Sequence, residues 1–447
     1  MSDDLFLFEH YAFDDAKHIL HLHYGYEQGP SFEETIVFPP STYVLSDADK
    51  SALDQVFRLI FLLAGVSYYK ARAPRQLKCN AFPLDQTTAA FVEKVYRFGL
   101  GEFSYKNNLD LRDRVHFIAT DQAPPRPHTL SLSSHLLVPI GGGKDSIVSL
   151  KSLQQAQQPL TLFGLGGLSG LATPIQATMD LSGLPFLGLK RTLSPQLLEL
   201  NASGAYNGHV PITAILSALA VACALLQGMN TVVMSNEHSA STPNLRFHDL
   251  EVNHQYSKSF AFEQDFSHYL KNYISPQLHY FSFLRPLTET AIAQRFSQHP
   301  KYFKVFRSCN TAFRQDVTQR PTQWCGHCPK CRFVFLALAP FIAPTSLTGI
   351  FGANLLDDPS QEDGYLELCG LLNFKPFECV GDIEESSLLM QHLFHQDLWK
   401  DTKIVQKIGA TLQQKNPHYQ EAYRQLFVLN PDHAVPETYL SLLHACA

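Results

Sequence analysis

His135–Ser146 reads HLLVPIGGGKDS, an apolar run that ends in three glycines and continues into Lys144, Asp145 and Ser146. The apolar run predicts a buried strand. Three consecutive glycines let the backbone turn sharply and bring bare amide groups up to a ligand. Asp145 or Ser146 then stands where it would cap a helix whose positive end faces that ligand. A loop of this kind suits an anion, and the pattern favours a nucleotide phosphate held by Gly141, Gly142, Gly143, Lys144, Asp145 and Ser146. It is not a Walker A loop, which needs Ser or Thr directly after the lysine; here Asp145 follows. A plain glycine turn accounts for the glycines but not for the Asp-Ser register behind them.

Outward from this loop, between about 129 and 345, short apolar runs alternate with helical stretches. The predicted strands are His135–Ile140, Leu160–Leu165, Phe186–Leu189, Thr231–Ser235 and His279–Leu284. Fully apolar strands alternating with helices imply an α/β fold with a doubly wound parallel sheet covered on both faces, whose ligands bind at the carboxyl ends of the strands. Residues 1–128 form a separate α+β unit: FLFEHYAF, KHILHLHYGY and ETIVFP are strand-like, while Asp47–Tyr69 and Thr87–Phe98 have helical spacing. The proline-rich Asp121–His128 marks the boundary. Residues 346–447 start loop-rich and turn mainly helical from Ile383. Ala214–Leu226, between Pro211 and Gly228, reads as a buried helix too short to span a bilayer.

The 447 residues suffice for two or three domains, and 45% hydrophobic with 17% charged residues is ordinary for a globular protein. A net charge of −6 with no basic run gives none of the footprint of a nucleic-acid binder. The acidic start MSDDLFLFEH has no secretory pattern, and nine scattered cysteines do not form a disulfide framework, so a cytoplasmic protein without membrane association is expected.

Cys309 and the run Cys325-Gly-His-Cys328-Pro-Lys-Cys331 offer four thiols at a spacing that closes a tetrahedral, structural zinc site. Ser235-Asn236-Glu237-His238 follows a predicted core strand, and Glu237 suits a magnesium ion held between a carboxylate and phosphates. Arg246–Lys258 is dense in ionisable residues, His254 and Lys258 among them; Arg285, after the last strand, is a candidate for a phosphate or carboxylate contact.

The Gly-Gly-x-Asp-Ser order resembles the PP-loop of N-type ATP pyrophosphatases, with Gly141 in place of the usual first serine. Taken with SNEHSAS (235–241), NHQYSKSFAFE (253–263), WCGHCPKCRFVF (324–335) and KPFECVGDIEE (375–385), the chain resembles the MurL family of UDP-N-acetylmuramoyl-L-alanyl-L-glutamate epimerases. That resemblance implies inversion of the terminal L-glutamate of UDP-MurNAc-L-Ala-L-Glu, with ATP and Mg2+ consumed through an acyl-adenylate to AMP and pyrophosphate. Asp145, Glu237, His238 and His254 are then the candidate catalytic residues, Lys258 and Arg285 the candidate substrate contacts. Cys379 is a further possibility, since cofactor-independent racemases often use thiols, although a buried cysteine more often serves packing. The rival reading is a PP-loop ligase or tRNA-modifying enzyme similar to the 7-cyano-7-deazaguanine synthases, whose zinc motif matches but whose length does not.

Overall fold

The computed structural model describes residues 5–444 apart from 168, 169, 314–317, 319 and 374. The acidic start Ser2-Asp3-Asp4 therefore lies outside the described residues. The strands are β1 (Leu5–Asp14), β2 (Ile19–Tyr26), β3 (Ser31–Val37), β4 (Gln76–Cys79), β5 (His116–Phe117), β6 (Ser133–Pro139), β7 (Leu160–Gly166), β8 (Phe186–Thr192), β9 (Met229–Met234), β10 (Leu245–Phe247), β11 (Leu250–Val252) and β12 (His279–Ser282). Ten of them make one sheet in the order β12-β9-β6-β7-β8-β3-β2-β1-β4-β5, and β10 and β11 pair as a hairpin.

From β12 to β8 all neighbours run parallel. The two faces of these strands feed separate cores. Leu137, Phe163, Val232 and Tyr280 point into one. Leu136, Val138, Leu162, Val233 and Phe281 point into the other. This burial on both sides is why the strands read as unbroken apolar runs. The first core is completed by the helices Asp47–Ala64 and Ile212–Leu226. The second is completed by Lys144–Leu153, Glu289–Ser297, Pro329–Leu338 and the carboxyl-terminal helices.

The sheet does not end with these strands. β8 pairs antiparallel with β3, so the amino-terminal strands extend the same sheet: Val37 lies opposite Lys190 and Ile36 opposite Arg191. β1–β3 are antiparallel and one-sided. Phe6, Phe8, Leu20, Leu22 and Tyr24 are fully buried, and the alternate positions are only partly so. The helix above them starts with a capping box between Ser46 and Asp49. Although the run Asp47–Tyr69 is apolar enough to cross a membrane, 78% of its most apolar window is buried inside the protein.

Residues 344–444 are helical over much of their length and wrap the second face. They are tied to it by Thr288, which donates to the carbonyl of Leu426 (2.7 Å), and by the amide of Asn430 on the carbonyl of Pro286 (2.8 Å). With β7 on one side of β6 and β9 on the other, strand order reverses at β6. The cleft beyond the carboxyl ends of β6 and β9 is the topological switch point of the sheet.

Candidate active site

A cavity of about 480 Å³ opens at that switch point. Its floor is the Gly141–Ser146 loop after β6 and the Ser235–Glu237 turn after β9. Gly142 adopts φ +71°, and a Cβ there would lie 2.7 Å from Pro174, so only glycine fits. Gly141, by contrast, faces open space, and a serine side chain would find room there. The helix expected to be capped by Asp145 or Ser146 begins earlier: Gly143 is its N-cap, and no side chain caps it. Ser146 instead donates back to the carbonyl of Gly143 (3.1 Å). The amide groups of the first turn are thus left without a side-chain acceptor where the loop opens on the cavity, the arrangement that attracts an anion.

Lys144 does not project freely from this loop. Its ammonium is buried against the carboxylates of Asp145 and Glu289. Burial works against its charge, but the two carboxylates outweigh it and hold the lysine protonated well above the usual range. Glu289, at the start of its helix behind the loop, is pushed upward by burial and by Asp145, Glu237 and Glu385, against the pull of Lys144. Glu385 shows the same crowding: burial and Asp382 raise it to about 7, although it accepts from the amide and hydroxyl of Thr290. Asp145 and Glu237 both line the cavity, and together they offer carboxylates beside an anion loop, a donor set suited to a magnesium ion.

The structure separates the other expected residues. Lys258 lines the cavity, with its Nζ 3.4 Å from the sulfur of Cys379, which lines it too. His254 is also at the cavity wall. Its Nδ1 hydrogen-bonds the carboxylate of Glu102, and Cys379 lies near enough to add to the raising of its pKa. His238, expected at the chemistry, is not among the lining residues; its Nε2 lies 3.2 Å from Asn430 on the far side of the turn. Arg285, expected at substrate phosphate or carboxylate, is fully buried behind the cavity. Its guanidinium is taken up by the carboxylate of Glu263 (3.1 and 3.0 Å) and by the main-chain oxygens of Glu237 and Lys258. The physical reason is burial: with four of its five N–H donors spent on these bonds, Arg285 fixes two cavity residues and does not itself line the cavity.

Cys309, Cys325, Cys328 and Cys331 do converge. All four sulfurs lie within 4.8 Å of one another, with separations of 3.6 Å (Cys309–Cys328), 3.5 Å (Cys325–Cys331) and 3.5 Å (Cys328–Cys331). A tetrahedral ion with Zn–S bonds of about 2.3 Å spaces its sulfurs by about 3.8 Å, so the cluster fits zinc. The same knot shapes the site, because Ser308, Asn310 and Lys330 beside its cysteines line the cavity.

Glu102, Glu289, Lys330 and Glu385 were not singled out from the sequence. Only Glu289 had a local signal, a carboxylate in the first turn of the helix after Pro286-Leu287.

Two family models match this chain, the MurL N-terminal domain over residues 2–283 and the MurL C-terminal domain over residues 305–423. The chain belongs to the MurL family. A UDP-N-acetyl-alpha-D-muramoyl-L-alanyl-L-glutamate epimerase of Xanthomonas oryzae pv. oryzae is 42% identical over 432 residues, 96% of this chain and 95% of that one. Enzymes of the same name from a Micromonospora species (42% over 413 residues, 91% of this chain and 90% of that one) and from Salinispora tropica (41% over 410 residues, 90% and 87%) are similar throughout. MurL membership makes the chain an epimerase, an isomerase by class. Both MurL models contribute to the cavity: Asp145, Glu237 and Lys258 fall in the first, Lys330 and Cys379 in the second.

Proposed function

We propose that this protein inverts the terminal L-glutamate of UDP-MurNAc-L-Ala-L-Glu in the cytoplasm, using ATP and Mg2+ to form an acyl-adenylate and releasing AMP and pyrophosphate, as a step of peptidoglycan precursor synthesis. The name of the relatives supplies the substrate. The observation that carries the ATP reading is the uncapped helix after Gly141–Gly143, set at the switch point of the sheet beside Asp145 and Glu237. The PP-loop likeness of this segment supports the same reading.

The chemistry explains why nucleotide and acid–base groups would share one cavity. A free carboxylate resists loss of its α-proton, because the carbanion would place negative charge beside negative charge. Adenylation converts it to a neutral anhydride that spreads the new charge as an enolate. Each pK unit gained at Cα removes up to about 1.4 kcal/mol from the proton-transfer step. The first-turn amides and Gly141–Gly143 hold the phosphates, and Lys144 balances charge beneath them. Asp145 and Glu237 would hold magnesium, which would supply charge neutralisation for the pyrophosphate. Water then hydrolyses the anhydride. Zinc held by the four cysteines would be structural, since four thiolates leave no open position. Residues 1–128 are assigned to substrate recognition, 129–345 to the nucleotide half with its cysteine knot, and 346–447 to the segment that closes the cavity.

The test mixes purified protein, ATP, Mg2+ and the UDP-muramoyl dipeptide, then measures pyrophosphate and the chirality of the released glutamate. D-Glutamate formed at full rate without ATP, or no pyrophosphate with ATP present, overturns the proposal.

A further inference from the structure

Three residues far apart in the chain meet at one side of the cavity: His254 from the loop after β11 and Cys379 from the segment before the helix Ile383–Phe394 line its wall, and Glu102 from the short helix Gly101–Lys106 stands behind His254. Glu102 grips Nδ1 of His254, and His254 and Cys379 lie close enough for each to shift the ionisation of the other. Lys258 reaches the same sulfur at 3.4 Å from another side. Lys258 is itself located by the bond from Arg285 to its carbonyl. The Cys379 segment is strapped in place by Asn244, which donates to the carbonyl of Pro376 (2.9 Å), and by Asn310, which donates to Glu378 (2.7 Å).

We propose that the sulfur of Cys379, as a thiolate paired with protonated His254, is the base that removes the α-proton of the activated glutamate, with Glu102 and Lys258 as positioning residues. This rests on the adenylation reading above. Burial works against the thiolate of Cys379, but the cations Lys258, Lys330 and His254 overcome it and bring the thiol down to about 6. His254 is faced by Glu102 and Cys379, which overcome burial and raise it to about 9. His209, its ring tilted by 43° against that of His254 at 4.3 Å, stays neutral, because burial and the charge of His254 lower it to about 3. A base needs its charge and a site near the reacting carbon, and a sulfur lining the cavity between two cations has both.

In the step, the Cα–H bond breaks, its electron pair enters the enolate of the activated carboxyl, and the proton forms an S–H bond on Cys379. Water in the cavity returns a proton to the opposite face of Cα and the enolate pair re-forms C–H. The thiol then gives its proton back to solvent, so protons balance over the cycle.

The experiment follows Cα exchange in deuterium oxide together with pyrophosphate release, and alkylation of Cys379 by iodoacetamide, read on its own peptide by mass spectrometry. Cys379→Ser is expected to lose about 100-fold or more in Cα exchange, with pyrophosphate release reduced by no more than about tenfold. Exchange that survives within tenfold of wild type overturns the proposal and leaves the ATP reading standing. Wild-type protein that releases no pyrophosphate overturns both. Independently of folding of that variant, alkylation of the wild-type thiol is expected to be half-maximal near pH 6, and His254→Gln to move that midpoint up by about one pH unit or more. A wild-type midpoint in the ordinary thiol range near 8.5 overturns the ion pair.

Discussion

Arg285 donates to the main-chain oxygen of Glu237 while holding Glu263 with the same guanidinium, so a residue that never enters the cavity fixes one that lines it. A second bond reaches the carbonyl of Lys258, and the turns after β9 and β11 are locked to each other through one side chain. The carboxylate of Glu263 completes the lock by accepting from the amide of Ser282 (3.0 Å).

Arg285→Met leaves Glu263 buried without its partner, which is expected to cost about 3–5 kcal/mol of stability by denaturant titration. Arg285→Lys keeps a charge but lacks the planar fork, and turnover is expected to fall about 10- to 100-fold through misplacement of Glu237 and Lys258. Wild-type kinetics in the lysine variant would assign Arg285 to packing alone.

Asp145 is about one-third exposed and belongs to the loop rather than the core. Asp145→Ala is expected to abolish AMP formation while the thermal midpoint moves by only a few degrees, since Lys144 keeps Glu289. Normal turnover would remove Asp145 from the chemistry.

Cys328→Ser breaks one corner of the thiol cluster. Metal analysis is expected to find zinc in the wild-type protein and none in the variant, with lower stability and weaker activity, because Ser308, Asn310 and Lys330 lose their anchor. An unchanged zinc content would exclude the four-thiol site.

The Cys379–His254 pair predicts an unusual pH response of stability. Cys379, lowered to about 6, contributes stability that is present above the unfolded thiol value near 9 and is lost as pH falls through 6. His254, raised to about 9, contributes stability present below its unfolded value near 6.5 and lost as pH rises through 9. Between 6.5 and 9 the two slopes have opposite sign and nearly cancel. Cys379→Ala removes one of them, so the variant is expected to lose about 1–2 kcal/mol more than wild type across that interval, the remainder of the His254 shift being due to Glu102. Parallel curves for the two proteins would show that the pair is not charged.

Much of this was legible in the chain because it is local. The apolar runs of β6, β7, β8, β9 and β12 mark strands buried on both faces. Gly142 marks a left-handed turn against Pro174, and the close spacing of Cys325, Cys328 and Cys331 requires thiols to meet whatever else the fold does. Such features are set by the period of a strand, the steric limits of one residue or the reach of a six-residue loop. Family resemblance read from a few motifs held across most of the chain.

Long-range placement was not legible. Nothing in SFEETIV says that β3 will lie against β8 and carry the amino-terminal strands into the same sheet, since any strand edge presents the same backbone donors and acceptors. Nothing in the sequence around Arg285 distinguishes a guanidinium that meets a ligand from one spent on Glu263 and two carbonyls. The sequence by itself determined the glycine turn after β6, the layered α/β core and the thiol cluster. Only the tertiary structure decided that His254 and Cys379 share one wall with Glu102 behind the histidine, because their ionisation depends on burial and on charges brought in from segments more than a hundred residues apart.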